Sequence, residues 1–135
     1  MRFGGPADLI KHNIKLGRDY ALSQDFTLNV DPNQIKQVII NLVINAIEAM
    51  PHGGSLQLVM TMNNDWVTVA VKDTGVGIPA NELHSIFEPF HTNKEKGTGL
   101  GLAICQQIIN EHQGKISVES KIDAGTTFKI KLPTK

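Results

Sequence analysis

An α+β fold is predicted for this chain: a two-layer α/β sandwich, with helices covering one face of a mostly antiparallel sheet. Three observations predict it. Four runs, "SLQLVMTM", "WVTVAVKD", "KISVES" and "TTFKIKLP", alternate apolar with polar residues, the period of a strand buried on one side. Two longer stretches, Asp31 to Met50 and Leu100 to Glu111, repeat apolar residues at helical spacing. Strands with one polar face need helices on the other face only.

The elements follow in order. "ADLIKHNIKLGRDYALS" predicts a helix, with Leu9, Ile10, Ile14 and Leu16 as its apolar residues, and "FTLNV" predicts a short strand. Together, residues 1–30 are expected to be an N-terminal helix and first strand of the same domain as residues 31–135. Asp31 is a helix N-cap, Pro32 suits the first helical position, and Gln34 stands where a capping box places Glu or Gln. Ile35, Val38, Ile39, Leu42, Val43, Ala46, Ile47 and Met50 form the apolar stripe of this helix, and "PHGG" ends it. Gln37, Asn41, Asn45 and Glu48 make a second, polar stripe. Leu56, Leu58, Met60 and Met62 share one face of the next strand, and Val67, Val69 and Val71 one face of its partner, with "NN" at the turn. "ANELHSIFEPF" predicts a short helix or turn. The second long helix is closed by Gly114, and two strands joined by "KIDAG" finish the chain.

Composition narrows the function. The chain has 135 residues, enough for one domain with a real core. Lys+Arg and Asp+Glu are both 13, a zero formal balance that argues against a broad basic surface for nucleic acid. A single cysteine, Cys105, excludes an internal disulfide and, among apolar neighbours, is expected to be buried. No stretch approaches the ~20 apolar residues that span a bilayer, and "MRFGGPADLIKH" lacks the apolar core of a signal peptide. A cytoplasmic domain with no membrane contact of its own is expected. His52, His84, His91 and His112 have no metal-ligand spacing and are expected at the surface.

Two glycine clusters carry the chemistry. Asp73, in "DTGVGIP", has the parity of Val67, Val69 and Val71, so its carboxylate points into the layer between sheet and helices. A buried carboxylate needs donors, and an exocyclic amine is one. Gly75 and Gly77 permit a sharp turn and the close approach of a flat group. Thr126 has the parity of Phe128, Ile130 and Leu132 and points the same way. In "GTGLGLA", Gly97, Gly99 and Gly101 lead straight into a helix, whose free N–H groups and dipole favour an anion, and Lys94 lies just before. One loop suits a flat amine-bearing base and the other suits phosphates; a purine nucleoside triphosphate bridging them explains both.

"NLVINAIEAM", "DTGVGIP", "IFEPFHTNK", "GTGLGLAI" and "GTTFKIKLP", in this order, resemble the N, G1, F and G2 boxes and final strand of the sensor histidine kinase catalytic domain, of the GHKL superfamily. The resemblance runs from about Asp31 to Pro133. It implies a Bergerat ATP-binding fold for residues 31–135 and transfer of the γ-phosphate of ATP to a histidine in two-component signalling. By position, Asp73 would accept from the adenine amino group, with Gly75, Gly77, Ile78 and Thr126 around the base. Asn41 and Asn45 would hold Mg²⁺ and phosphate oxygens. Phe87 and Phe90 would hinge a short lid, His91 to Thr98. Lys94, Gly97, Thr98, Gly99, Leu100 and Gly101 would meet the triphosphate.

The resemblance also separates the chemistries. ATPases and serine kinases of the superfamily carry a general-base Glu four residues before the second N-box Asn; here that place holds Asn41, which cannot take a proton. A neutral imidazole acceptor needs less activation. Transfer to histidine is therefore favoured over a GHKL ATPase or a serine kinase, and the intact boxes argue against a nucleotide-gated interaction module. Two departures stand out: Glu48 replaces the basic residue many members carry, and the stretch between "FTLNV" and "DPNQ" is short for a second strand. His12, in "HNIKLG", lacks the following acid and Pro of an acceptor motif. The expected partners are thus ATP, a separate histidine-bearing dimerisation domain and, indirectly, a response regulator, with the chain itself a monomer.

Overall fold

A computed structural model of the chain describes residues 14–21 (backbone only), 28, 30–63, 65–88 and 101–134. Its elements are β1 (Ile14–Ala21), α1 (Pro32–Glu48), β2 (Gly54–Met62), β3 (Trp66–Asp73), a 3₁₀ turn (Ala80–Glu82), α2 (Gly101–Glu111), β4 (Lys115–Lys121) and β5 (Gly125–Pro133). The sheet order is β1-β2-β3-β5-β4. β1 joins β2 in parallel, and the other three pairings are antiparallel.

The apolar stripe of α1 meets the inner face of the sheet. Ile35, Val38, Ile39, Leu42, Val43 and Ala46 are buried on the helix side, and Leu56, Leu58, Val67, Val69, Val71, Phe128, Ile130 and Leu132 on the sheet side. Their neighbours in the strands, Ser55, Gln57, Lys72 and Lys131, are exposed. This alternation places both helices on one face, as the period-two pattern requires. Burial of each large aliphatic side chain contributes roughly 1.5–3 kcal/mol.

Local chemistry sets the element ends. The Asp31 carboxylate accepts from the N–H groups of Asn33 (2.9 Å) and Gln34 (3.2 Å), the expected N-cap with Pro32 behind it. The Asp31 N–H donates across the fold to Nε2 of His112 (3.0 Å). Asn63 Oδ1 accepts from the N–H groups of Asp65 and Trp66 and so closes the β2–β3 turn.

One expectation is corrected. Residues 14–21 form a strand, whereas their spacing predicts helix. Ile14 and Leu16 also satisfy period two, and Gly17 costs a helix about 1 kcal/mol relative to Ala. What decides is the edge of β2, which offers an eight-residue ladder from Ile14↔Gly54 to Ala21↔Thr61. Long-range pairing of this kind leaves no mark on local periodicity. The strand expected over "FTLNV" falls largely outside the described residues; Leu28 and Val30, which are described, are not in a strand.

Candidate functional site

The site is organised by one cross-strand row. Asp73 on β3 pairs with Thr126 on β5, and Thr126 pairs with Ser120 on β4. Strand parity turns all three toward the helix layer. Asp73 is 4% exposed and Thr126 5%, the two polar residues buried with the core among the described residues.

The Asp73 carboxylate is held by backbone. Its Oδ1 accepts from the N–H groups of Gly75 (2.8 Å) and Thr126 (3.2 Å). Both bonds end on the same oxygen. Burial pushes the Asp73 carboxyl above its ordinary value, and the bonds from Gly75 and Thr126 oppose that shift without cancelling it.

The loop after Asp73 is tied at several residues. Val76 N–H donates to the carbonyl of Ala49 at the end of α1 (3.0 Å), and Val76 O accepts from Asp123 N–H (2.9 Å). Ile78 N–H donates to Ser120 Oγ (2.8 Å). Gly77 has φ +78°, and a Cβ there would overlap the carbonyl of Lys121. A Cβ at Gly75 would overlap the carbonyl of Ala49. Both glycines are therefore demanded first by backbone approach within the protein. Thr74 Oγ1 accepts from Ser55 N–H (3.0 Å), which joins the loop to the start of β2.

Asn41 and Asn45 lie half-buried on the polar stripe of α1, one helical turn apart. Asn41 Nδ2 donates to Cys105 Sγ on α2 (3.8 Å), and that thiol donates to Val38 O (3.8 Å). The amide nitrogen is thereby held toward α2. Burial pushes the Cys105 thiol up to about 11, with the Asn41 bond opposing. Phe87 packs edge-on against Phe128, with ring centroids 6.3 Å apart at 83°, so its core-packing role is real. Gly101 begins α2, and among the described residues no atom crowds the place of a Cβ there. Phe90, Lys94, Gly97, Thr98, Gly99 and Leu100 lie outside the described residues, as do His12 and His91.

Three contributions were not anticipated from sequence. Ser120 shares the parity of Ile116 and Val118, an inward-facing hydroxyl that parity alone could have found. Cys105 proves to be a partner of Asn41 as well as a core residue. His112, expected at the surface, is half-buried: its Nδ1 bonds the carbonyl of Ile108 (2.8 Å), so that nitrogen carries the proton and Nε2 accepts from Asp31. His52 and His84 are exposed, and no cluster of metal-ligating His, Cys, Asp or Glu occurs among the described residues. A groove between Phe87 and the flank of α2, at Ala103, Ile104 and Gln107, stands apart from Asp73.

The family model described as "Histidine kinase-, DNA gyrase B-, and HSP90-like ATPase" matches residues 30–135. Sporulation kinase A of Bacillus subtilis (strain 168) is 53% identical over 108 residues, covering 80% of this chain and 18% of the kinase. The chain thus spans less than a fifth of that relative's length. The nucleotide-free catalytic domain of histidine kinase ThkA superposes with a TM-score of 0.82 at 38% identity, covering 95% of this chain and 85% of that one. ThkA in complex with response regulator protein TrrA superposes with a TM-score of 0.81 at 35% identity, covering 96% of this chain and 36% of that one.

Proposed function

The chain belongs to the histidine kinase-, DNA gyrase B- and HSP90-like ATPase family, as a catalytic domain of the histidine kinase kind, and on that premise we propose that it transfers the γ-phosphate of ATP to a histidine on a separate helical dimerisation domain. The observation that carries the nucleotide reading is the buried Asp73, whose Oδ1 accepts from two backbone N–H groups and whose carboxylate, in this reading, accepts the adenine amino group. Gly75, Gly77 and Ile78 frame the base, and Thr126 adds a second polar atom beside it.

The amide oxygens of Asn41 and Asn45 fit a hard cation such as Mg²⁺. Bound there, the ion would offset charge on the phosphate oxygens. We assign the triphosphate to Lys94, Gly97, Thr98, Gly99, Leu100 and Gly101, under a lid from His91 to Thr98 hinged at Phe87 and Phe90. The acceptor imidazole attacks the γ-phosphorus, the bond to the ADP oxygen breaks, and ADP leaves. Asn41 supplies no base that would activate water or a serine hydroxyl, which supports a histidine acceptor. We place residues 1–30 and 31–135 in this one domain, with a response regulator as the downstream partner, by analogy with the ThkA complex.

Incubation with γ-labelled ATP and a separately supplied dimerisation domain tests the reading. Label that is acid-labile and alkali-stable is expected on the dimerisation domain and not on this chain. Release of free phosphate without transfer, or label on this chain lost in His12→Ala, would overturn it.

A further inference from the structure

Cys105 has no place in the function stated so far, yet it touches a residue that does. Its Sγ lies 3.8 Å from Asn41 Nδ2 on α1 and 3.8 Å from the Val38 carbonyl oxygen, about one turn earlier on the same helix. Cys105 and Val38 are fully buried. Burial pushes the thiol up to about 11, so at neutral pH it keeps its proton and can both give and accept a hydrogen bond. The Val38 oxygen has no proton to give, so the thiol proton belongs between Sγ and that oxygen. Sulfur then meets Asn41 as an acceptor, and of the two arms of a planar amide only the nitrogen can donate. The reverse arrangement, with the thiol proton on the Asn41 oxygen, leaves sulfur and the Val38 oxygen facing each other with no proton between them. Cys105 also stands one turn beyond Gly101, where α2 begins. The bond therefore joins the polar stripe of α1 to the first turns of the helix whose start is assigned to the triphosphate.

We propose that Cys105 is a positioning residue for Asn41: by accepting the amide N–H, the thiol holds that side chain in one rotamer and reserves its oxygen for Mg²⁺. This rests on the reading of Asn41 as part of the Mg²⁺ and phosphate site. An unanchored Asn side chain samples several rotamers, and its two arms, nearly equal in shape, exchange places by rotation. Only the oxygen suits a cation, since an amide N–H set against Mg²⁺ repels it. A side chain already held in the binding orientation loses less freedom when the ion arrives, so the anchor is read as affinity. Alanine at 105 would leave the amide without this partner. Serine would keep both bonds.

The test is calorimetry with Mg²⁺ and ATP on the unaltered protein, Cys105→Ala, Cys105→Ser, Asn41→Ala and the variant carrying both alanines. Cys105→Ala should weaken binding about fivefold. Cys105→Ser should return it to within about twofold of the unaltered protein. In the Asn41→Ala background, Cys105→Ala should cost nothing more, because the thiol acts through the amide. An equal loss in both backgrounds would mean that Cys105 only supports the packing of α2, and the inference fails. It fails as well if Cys105→Ser binds no better than Cys105→Ala. A further arm needs no change at position 105. By NMR, the side-chain amide protons of Asn41 should exchange with solvent more slowly than those of the exposed Asn33. Equal exchange overturns the inference even if Cys105→Ala does not fold. If Asn41→Ala leaves Mg²⁺-dependent ATP binding unchanged, the reading of Asn41 fails instead.

Discussion

Asp73 carries two opposed demands, and they can be separated by pH. Burial raises its carboxyl, so the protonated form is favoured in the folded chain relative to the unfolded one. Ionisation therefore opposes folding. The stabilising share is fully present below the unfolded pKa and is lost as pH rises through the raised folded value. Asp73→Asn keeps an oxygen for Gly75 and Thr126 but has no charge to bury. Without nucleotide, the variant should gain thermal stability relative to the unaltered protein as pH rises from about 4 toward neutrality. At neutral pH its melting temperature should be no lower. It should also lose ATP binding, because the new amide nitrogen sets a donor against the adenine donor. A variant that melts earlier at neutral pH, or binds ATP unchanged, contradicts this account of the site. Cys105 gives a second test at this scale. It is fully buried and its thiol is pushed up to about 11. Iodoacetamide at pH 8 should leave it unmodified in the folded protein and alkylate it fully in denaturant, as read by intact mass.

The loop from Asp73 to Pro79 behaves as an element in its own right. Its amides are tied to Asp73, to the end of α1 and to β4, and its Val76 carbonyl to the β4–β5 turn. It is preorganised, and Gly77 is the position that permits it. Gly77→Ala would combine a left-handed backbone with overlap on the Lys121 carbonyl. The expected cost is about 2–4 kcal/mol, visible as a lower denaturant midpoint with little change in slope. A loss under about 0.5 kcal/mol would show the loop to be adaptable. The N-cap makes the contrast at α1. Asp31→Ala removes the two side-chain bonds to Asn33 and Gln34 and should cost about 1 kcal/mol. Because the cap is remote from the polar row, ATP affinity should not change in the same variant, and a concurrent loss would show that α1 couples its ends.

For the whole molecule, the sheet formed by the described residues has two edges, β1 and β4. β4 exposes Lys115, Ser117, Glu119 and Lys121, a charged edge that resists pairing with a second copy. A monomer is therefore expected by sedimentation at micromolar concentration, and a stable dimer would require an interface elsewhere. Helix and strand content was legible wherever burial follows one period: the apolar stripe of α1, and the inward row Val67, Val69, Val71, Asp73, stand in the structure as the spacing requires. Parity also foretold the inward carboxylate of Asp73 and its neighbour Thr126. It failed at residues 14–21, where one short segment fits both periods and a distant strand edge chooses.

What the sequence determined by itself is the set of local periods, the caps, and the ordered motifs that place Asp73, Asn41 and Asn45 on defined faces of their elements. These depend on neighbours one to four residues away, so a linear reading contains them. Tertiary structure alone decided the rest. It chose strand over helix at residues 14–21, brought Ser120, Thr126 and Asp73 into one row, set Cys105 behind Asn41, and lent His112 to the start of α1. Each of these joins residues far apart in the chain through register or helix packing, and hydrogen bonds of that kind exist only once the layers have met.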